Sequence, residues 1–281
     1  MPNKTRVVVF GSSGMLGRYV TAYMSDSSHI EVVPIDRARL DVAKSLNLEH
    51  ELDEIVHDCE YVINCIGVLK PSIEKTGVAN TIRINSKFPE LLSNVCNTHE
   101  CNLIHICSDC VFSGNDGKYT ENDTCDAEDL YAISKREHPV NTMILRTSFV
   151  GEERRDDPRG LLQWVLSTLP GTTIPGYTNC IWNGVTCLQL AKTIQYIIDN
   201  DIYKHGLYHI HSNQDVSKHD LCKMIRDIYE LNITIVPVEA SSISGSTINR
   251  VLDRTLRSKH KLGITTPSIF NQIHEQRRFT I

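Results

Sequence analysis

Val7-Val8-Val9-Phe10-Gly11-Ser12-Ser13-Gly14-Met15-Leu16-Gly17 is the stretch whose reading decides the fold. Four apolar residues in a row read as a buried strand, three glycines follow at once, and residues 18–24 read as a helix. A strand, a tight turn and a helix in that order let backbone approach a pyrophosphate closely and aim the helix's first N–H groups at it. The spacing is Gly-x-x-Gly-x-x-Gly, not the Gly-x-Gly-x-x-Gly of the usual dinucleotide fingerprint, so a glycine-rich turn without a ligand is the alternative. The strand before and the helix after favour a dinucleotide site built from Gly11, Ser13, Gly14, Met15, Leu16 and Gly17.

Outward from this unit, strand-like runs at 6–10, 30–35, 61–66, 103–107 and 142–146 alternate with helical stretches at 18–25, 46–58, 84–97 and 130–137. Such alternation specifies an α/β fold, a Rossmann-type doubly wound parallel sheet with helices on both faces. From Gly151 the pattern changes: 152–159 reads as a polar loop, 161–169 as a helix, and Pro170-Gly171 and Pro175-Gly176 as turns. A helix at 188–198, a short strand at 207–210 and a helix at 218–229 follow.

Strand two ends in Ile35-Asp36-Arg37-Ala38-Arg39. A carboxylate there suits the ribose 2′-hydroxyl of NAD and an arginine the 2′-phosphate of NADP. Two arginines tip the reading to NADP; the alternative is that Arg37 and Arg39 only solvate a loop.

His105-Ile106-Cys107-Ser108-Asp109-Cys110-Val111-Phe112-Ser113-Gly114 is an apolar strand ending in a polar cluster. Ligands in open α/β sheets sit at the carboxyl ends of strands, so Ser108 can face the same crevice. Tyr131-Ala132-Ile133-Ser134-Lys135 sets a phenol and an ammonium four residues apart, on one face of a helix. A lysine cation held beside a tyrosine favours the phenolate and lowers a pKa otherwise near 10. That pair is read as the proton donor to a developing alkoxide.

Bulk properties narrow the field. A chain of 281 residues can bury a substantial core as one large unit or two intimate ones, and a net charge of −5 argues against a broad nucleic-acid surface. Ten cysteines include Cys107 and Cys110 in Cys-x-x-Cys spacing, but no second half completes a metal set, so no metal is expected. With no secretory signal and no run near the ~18 apolar residues that span a bilayer, the expectation is a cytoplasmic protein with free thiols and no membrane contact.

In order and spacing, Gly11/Gly14/Gly17, Ser108-Asp109 with Val111-Phe112 and Gly114, and Tyr131/Lys135 resemble an extended short-chain dehydrogenase/reductase of the dTDP-4-dehydrorhamnose reductase type. The likeness continues through Tyr119-Thr-Glu-Asn-Asp, Leu145-Arg146-Thr-Ser and Gly206-Leu-Tyr-His-Ile. Ser108 to Gly114 and Gly176-Tyr-Thr-Asn179 look most like reductases of UDP-linked 2-acetamido-2,6-dideoxy-4-ketohexoses. The resemblance implies NADPH-dependent reduction of a sugar C4 ketone, with Tyr131 as general acid, Lys135 holding its pKa down while binding the nicotinamide ribose, and Ser108 donating to the carbonyl oxygen. It also implies that Asp41, Val42, Cys65, Ile66 and Gly67 line the adenine and ribose sites, and that Asp109, Arg146, Asn179, Trp182, Asn183 and Arg250 line the site of a UDP- or dTDP-linked 4-keto-6-deoxy sugar. For Trp182 a place in the domain-interface core, and for Arg250 a pairing with Asp253, are the alternatives.

The family's architecture divides the chain into a cofactor domain, 1–150 plus 184–211, and a substrate domain, 151–183 plus 212–281; a homodimer is compatible with it. Cys110 matches a cysteine that GDP-fucose synthase, a relative, uses to epimerise its substrate, but the histidine that serves there as partner acid has no counterpart between His138 and His205. A 3-epimerase/4-reductase with Cys110 as a catalytic group is the favoured reading, and an inert packing thiol is the alternative. A regulatory subunit that binds NADP without turnover is the rival reading, opposed by the intact Ser108, Tyr131 and Lys135. A dehydratase is opposed by Ser108-Asp109-Cys110 standing where those enzymes carry Thr-Asp-Glu.

Overall fold

The computed structural model describes residues 4–154, 160–243, 246–247, 251–260 and 262–281. Its strands are β1 Thr5–Phe10, β2 Ile30–Ile35, β3 Tyr61–Asn64, β4 Asn102–Ser108, β5 Met143–Thr147, β6 Phe149–Val150, β7 Thr173–Tyr177, β8 Cys180–Trp182, β9 Val185–Thr186, β10 Gly206–His209, β11 Val216–Ser217, β12 Thr234–Val238, β13 Ser242–Ile243, β14 Ser246–Thr247 and β15 Leu252–Asp253. The helices are α1 Met15–Ser25, α2 Leu48–Val56, α3 Ile73–Thr76, α4 Val78–Ile82, α5 Phe88–Thr98, α6 Leu130–Arg136, α7 Leu161–Leu166, α8 Cys187–Asp199, α9 Lys218–Ile228 and α10 Ile269–Arg278.

The main sheet has six parallel strands in the order β10-β5-β4-β3-β1-β2. Alternation along β1 divides its residues between two cores, because successive side chains of a strand point to opposite faces. Val7 and Val9 join Ile63, Ile104 and Leu145 in the core that also takes Tyr19 and Val20 of α1 and Leu190 and Ile194 of α8. Val8 and Phe10 join Val62, Leu103, Leu52 of α2 and Leu92 of α5. From β1 the chain winds one way to β2 and the other way to β3. That reversal is where an open α/β sheet forms its crevice.

The expected strand at 61–66 stops at Asn64. The buried Asn64 carboxamide accepts from Ile66 N at 3.0 Å, and this bond turns the chain out of the ladder. The expected helix at 84–97 begins as a π-helical stretch, Arg83–Lys87, before α5 takes over. The stretches expected as helices at 46–58 and 161–169 are shorter, and 155–159 of the expected loop lie outside the described residues.

A further core gathers Leu162 and Val165 of α7, Trp182 of β8, Leu221 and Ile225 of α9, and Ile269 and Ile273 of α10. Small sheets flank it, β12 beside β7, and β8 between β11 and β15. Helix α10 ties this core to the main sheet. Gln272 and Gln276 accept from Thr186 N and Leu188 N at the start of α8, at 3.1 and 3.2 Å, and Phe279 stacks on Tyr19 of α1. Among the described residues no helix is long and apolar enough to cross a membrane.

Candidate active site

A cleft of about 390 Å³ opens at the carboxyl ends of β1, β2 and β3. It is lined by Gly11, Ser13, Gly14, Met15 and Leu16, by Asp36, Arg37, Asp41 and Val42, and by Cys65, Ile66 and Gly67. Leu40, Ala43, Val68, Leu69, Phe149 and Glu153 complete much of the wall and carry no motif that would have singled them out. Gly11 has φ +78°, a conformation that side chains with a Cβ rarely adopt. Gly17 faces the turn instead of the cleft: a Cβ there would overlap the Gly11 carbonyl, so its absence lets α1 pack on the end of β1. Arg37 borders the cleft while Arg39 is exposed and does not. Asp36 Oδ1 accepts from Ala38 N and Arg39 N at 3.0 and 3.1 Å, so this carboxylate also shapes its own turn. Helix N-terminus, bare glycine backbone and a bordering arginine together fit a dinucleotide that carries an extra phosphate.

Tyr131 and Lys135, expected at the cofactor, are not among the residues that line this cleft; they lie on α6, and Lys135 reaches the lining at Gly67. Asp129 caps the helix, accepting from Tyr131 N and Ala132 N at 3.1 and 3.3 Å, and Lys70 pairs with Asp129 at 3.0 Å. Asn85 binds helix and cleft loop together: its amide donates to Ser134 Oγ at 3.0 Å and to Val68 O at 3.1 Å, while its carbonyl accepts from Val68 N at 2.8 Å. The π-helical stretch that carries Asn85 is thus what aims it, a frequent use of such segments. Lys135 Nζ stands over Gly67, where a Cβ would lie 3.1 Å away.

Ser108 ends β4, accepting from Cys110 N at 3.1 Å and donating to Asp109 Oδ1 at 3.4 Å. Burial raises the Tyr131 phenol well above its ordinary value, Cys110 adds to the rise, and a hydrogen bond with Ser108 opposes it. Lys135 is not among the main influences on that phenol, which departs from the expected lowering. Burial lowers the pKa of Lys135 itself, because it penalises the charge. Tyr131 therefore holds its proton, the state an acid needs before it donates. Burial and the neighbouring Asp109 push the Cys110 thiol up to about 11.

Two cations that the sequence reading passed over stand near Asp109 and Cys110. The Lys218 ammonium, at the start of α9, lies 5.4 Å from the centre of the Trp182 ring. Burial lowers its pKa, and Asp109 works against that; reciprocally, burial raises the Asp109 carboxyl, which Arg254 and Lys218 hold down. Arg254 donates through Nε to Phe112 O at 2.8 Å and through Nη2 to Ser113 O at 3.3 Å, leaving Nη1 beside Cys110 Sγ at 3.9 Å.

Four residues expected at the sugar site are engaged by other groups. Arg146 is 1% exposed within the sheet, its guanidinium 2.7 Å from His138 Nε2, 3.4 Å from His209 Nε2 and 5.1 Å from the centre of the Phe112 ring. Its place on β5 between β4 and β10 accounts for this, since a strand in that position has neighbours on both sides. Asn183 holds Leu256 by both backbone groups at 2.9 Å, and Asn179 holds Ala240 likewise at 2.8 and 2.9 Å. Trp182 is a core residue, its Nε1 donating to Ser148 Oγ at 2.8 Å and its ring carrying Lys218. Arg250 lies outside the described residues.

A glycine turn at the point where a parallel sheet reverses its winding, with serine, tyrosine and lysine gathered at the neighbouring strand end, defines an extended short-chain dehydrogenase/reductase. Within that class the chain belongs to the family described as RmlD substrate binding domain, which matches residues 5–262. The probable low-salt glycan biosynthesis reductase Agl14 of Haloferax volcanii is 28% identical over 250 residues, 81% of each chain. The dTDP-4-dehydrorhamnose reductase of Aggregatibacter actinomycetemcomitans is 24% identical over 232 residues, 79% of this chain and 78% of that one. Among solved structures, dTDP-4-dehydrorhamnose reductase of Bacillus anthracis in complex with NADP superposes with a TM-score of 0.79 at 18% identity, covering 98% of this chain and 99% of the other.

Proposed function

We propose that the protein uses NADPH to reduce the C4 ketone of a nucleotide-linked 4-keto-6-deoxyhexose in deoxysugar biosynthesis. The observation that carries this reading is that Ser108 hydrogen-bonds Tyr131, kept protonated by burial, while Lys135 on the same helix stands over Gly67 of the cleft lining. The reductase activities named for the relatives in the same family support it.

When bound, the reduced nicotinamide supplies the hydride. Tyr131 gives its proton to the oxygen on which negative charge develops, and Ser108 donates a hydrogen bond to the same atom, an aim worth more in a water-poor cleft than in solution. Lys135, over Gly67, binds the ribose next to the nicotinamide. Residues 1–150 with 184–211 hold the cofactor, and 151–183 with 212–281 cover the sugar. On that side Lys218 and Arg254 take the place first given to Arg146 and the two asparagines, and they meet the electronegative face of the sugar nucleotide. The finer reading, a UDP-linked 2-acetamido-2,6-dideoxyhexos-4-ulose, rests on the likeness of the segments 108–114 and 176–179.

Epimerisation at C3 before reduction is the second reading. Arg254 Nη1 beside Cys110 Sγ favours it, because a cation stabilises a thiolate. Burial opposes it: a thiol at about 11 leaves on the order of one part in 10⁴ as thiolate at neutral pH. Deuterium entering C3 of the 4-keto sugar in deuterated water without NADPH, in wild type but not in Cys110→Ser, supports the epimerase; no enzyme-dependent exchange leaves a plain reductase.

The test of the main reading is NADPH consumption by the purified chain with dTDP- and UDP-linked 4-keto-6-deoxyhexoses, the product identified by NMR. Turnover with one nucleotide series is the expected result. NADP binding without turnover on any of them would make the chain a non-catalytic subunit.

A further inference from the structure

At the amino-terminal edge of the main sheet, opposite the cleft, two turns are built alike. His57-Asp58-Cys59-Glu60 leads from α2 into β3, and His99-Glu100-Cys101-Asn102 leads from α5 into β4. In each, the residue before the cysteine takes a left-handed conformation, Asp58 at φ 57° and Glu100 at φ 55°. Because β3 and β4 are neighbours in parallel register, the turns lie side by side. The rings of His57 and His99 meet edge to face at 6.2 Å, Asn102 N donates to Glu60 O at 2.9 Å, and between these contacts Cys59 Sγ and Cys101 Sγ face each other at 3.1 Å. Both thiols are 6% exposed, and neither is used by the chemistry at the other end of the sheet.

We propose that Cys59 and Cys101 form a thiol–disulfide pair that a small-molecule disulfide such as oxidised glutathione closes. Cys101 as thiolate attacks one sulfur of the oxidant, forming a mixed disulfide and expelling one glutathione thiolate. Cys59, losing its proton, then attacks Cys101 Sγ and expels the second. One S–S bond forms and one breaks, the protein gives up two electrons and two protons, and the oxidant leaves as two thiols. In the reduced pair Cys101 Sγ donates to Cys59 O at 2.8 Å, a bond it gives up as it attacks, and the nearby His99 favours its thiolate. A bond of about 2.05 Å requires the sulfurs to close by roughly 1 Å, within the reach of side-chain rotation. The link would join positions 42 residues apart and clamp two helix-to-strand turns, which restricts the unfolded chain.

The experiment equilibrates the full-length protein with glutathione at a series of reduced-to-oxidised ratios, blocks remaining thiols with iodoacetamide under denaturation, and maps the peptides by mass spectrometry without reductant. One linked pair, Cys59 with Cys101, two mass units lighter than its reduced form, is expected, together with a rise in Tm of about 5 °C or more. Cys59→Ala should lose the link and the rise. NADPH-dependent turnover, whatever the substrate, should be the same in both redox states, since the pair lies at the far edge of the sheet. Only glutathione adducts, a Cys96 to Cys101 link, or ten alkylated thiols at every ratio would overturn the proposal, and the mapping on wild type decides this without any variant.

Discussion

Gly67 leaves to Lys135 the space that a side chain would occupy: a Cβ on Gly67 would sit 3.1 Å from Lys135 Nζ. The contact is tight, and the group it meets is the far end of a flexible side chain, so Gly67→Ala should move the ammonium more than it disturbs the fold. We expect a Tm within about 2 °C of wild type and a kcat/KM at least tenfold lower with weaker NADPH binding. Calorimetry beside steady-state kinetics checks both. Unchanged kinetics would mean that Lys135 does not work from that position.

Tyr131→Phe removes the proposed acid and leaves α6 capped by Asp129 through the backbone. Turnover should fall by about 10²- to 10⁴-fold while NADPH binding persists. Because burial raises the phenol's pKa, its acid form is complete throughout the neutral range, and loss of this proton should not limit wild-type reduction below pH 9. A variant with near wild-type turnover would remove Tyr131 from the mechanism.

The sheet and the placing of Tyr131 with Lys135 on one helix were legible because each is written locally. A continuous apolar run, glycines three apart and a Tyr-Lys pair four apart need no knowledge of distant chain. Arg254 and Lys218 were not legible, because long-range pairing brings them to Asp109 and Cys110: Val216 and Ser217 of β11, just before Lys218, pair with Trp182 and Ile181 of β8, Leu252 and Asp253 of β15 pair with Cys180 and Ile181, and Asp253 N donates to Gly114 O at 2.8 Å. Arg146 misled for the same reason. Its segment reads as a strand end near a ligand, yet its ring partner Phe112 and its neighbour His209 come from 34 and 63 positions away, and burial on both sides of β5 is a property of the assembled sheet. Asn179 and Asn183 show that a polar side chain near a site can be fully engaged by backbone.

The cluster around Arg146 makes stability depend on pH. Burial is the first cause that lowers both His138, to about 3, and His209, to about 4, with the Arg146 cation adding to each. An unfolded histidine takes up a proton near pH 6.5, so the unfolded state binds more protons than the folded one below that value. The stability from neutral burial is complete above pH 6.5 and is lost as pH falls toward 4 and 3, at up to about 1.4 kcal/mol per pH unit for each histidine. Urea unfolding at pH 7, 6 and 5 should show the decline, and His138→Asn should flatten its slope. Stability that is constant across that interval would contradict the assignment.

Lys218→Met keeps a straight side chain over Trp182 and removes a half-buried cation that offsets the buried Asp109 carboxylate. Because Arg254 still offsets Asp109, thermal stability should fall only slightly. Affinity for the sugar nucleotide should fall, with KM rising tenfold or more while NADPH binding is unaffected. Titration with each ligand separately makes the comparison. An equal loss for both ligands would place Lys218 in the fold's support and not at the sugar.

Arg37 and Arg39 separate under the same logic. Only Arg37 borders the cleft, while Arg39 is exposed outside it and meets Asp36 through its backbone N–H. If a 2′-phosphate is recognised here, the guanidinium of Arg37 does it, with the strength of a charge-assisted hydrogen bond. Arg37→Glu should therefore weaken NADPH by roughly tenfold or more, since replacing an attraction with a repulsion costs more than about 1.4 kcal/mol, and should leave NADH within about twofold. Arg39→Glu should change neither by much, because an exposed charge outside the cleft is screened. Binding of both cofactors to the two variants, measured by fluorescence titration, checks the four values. Equal losses for NADPH and NADH in Arg37→Glu would show that this arginine supports the turn after β2 and that the extra phosphate is recognised by another group.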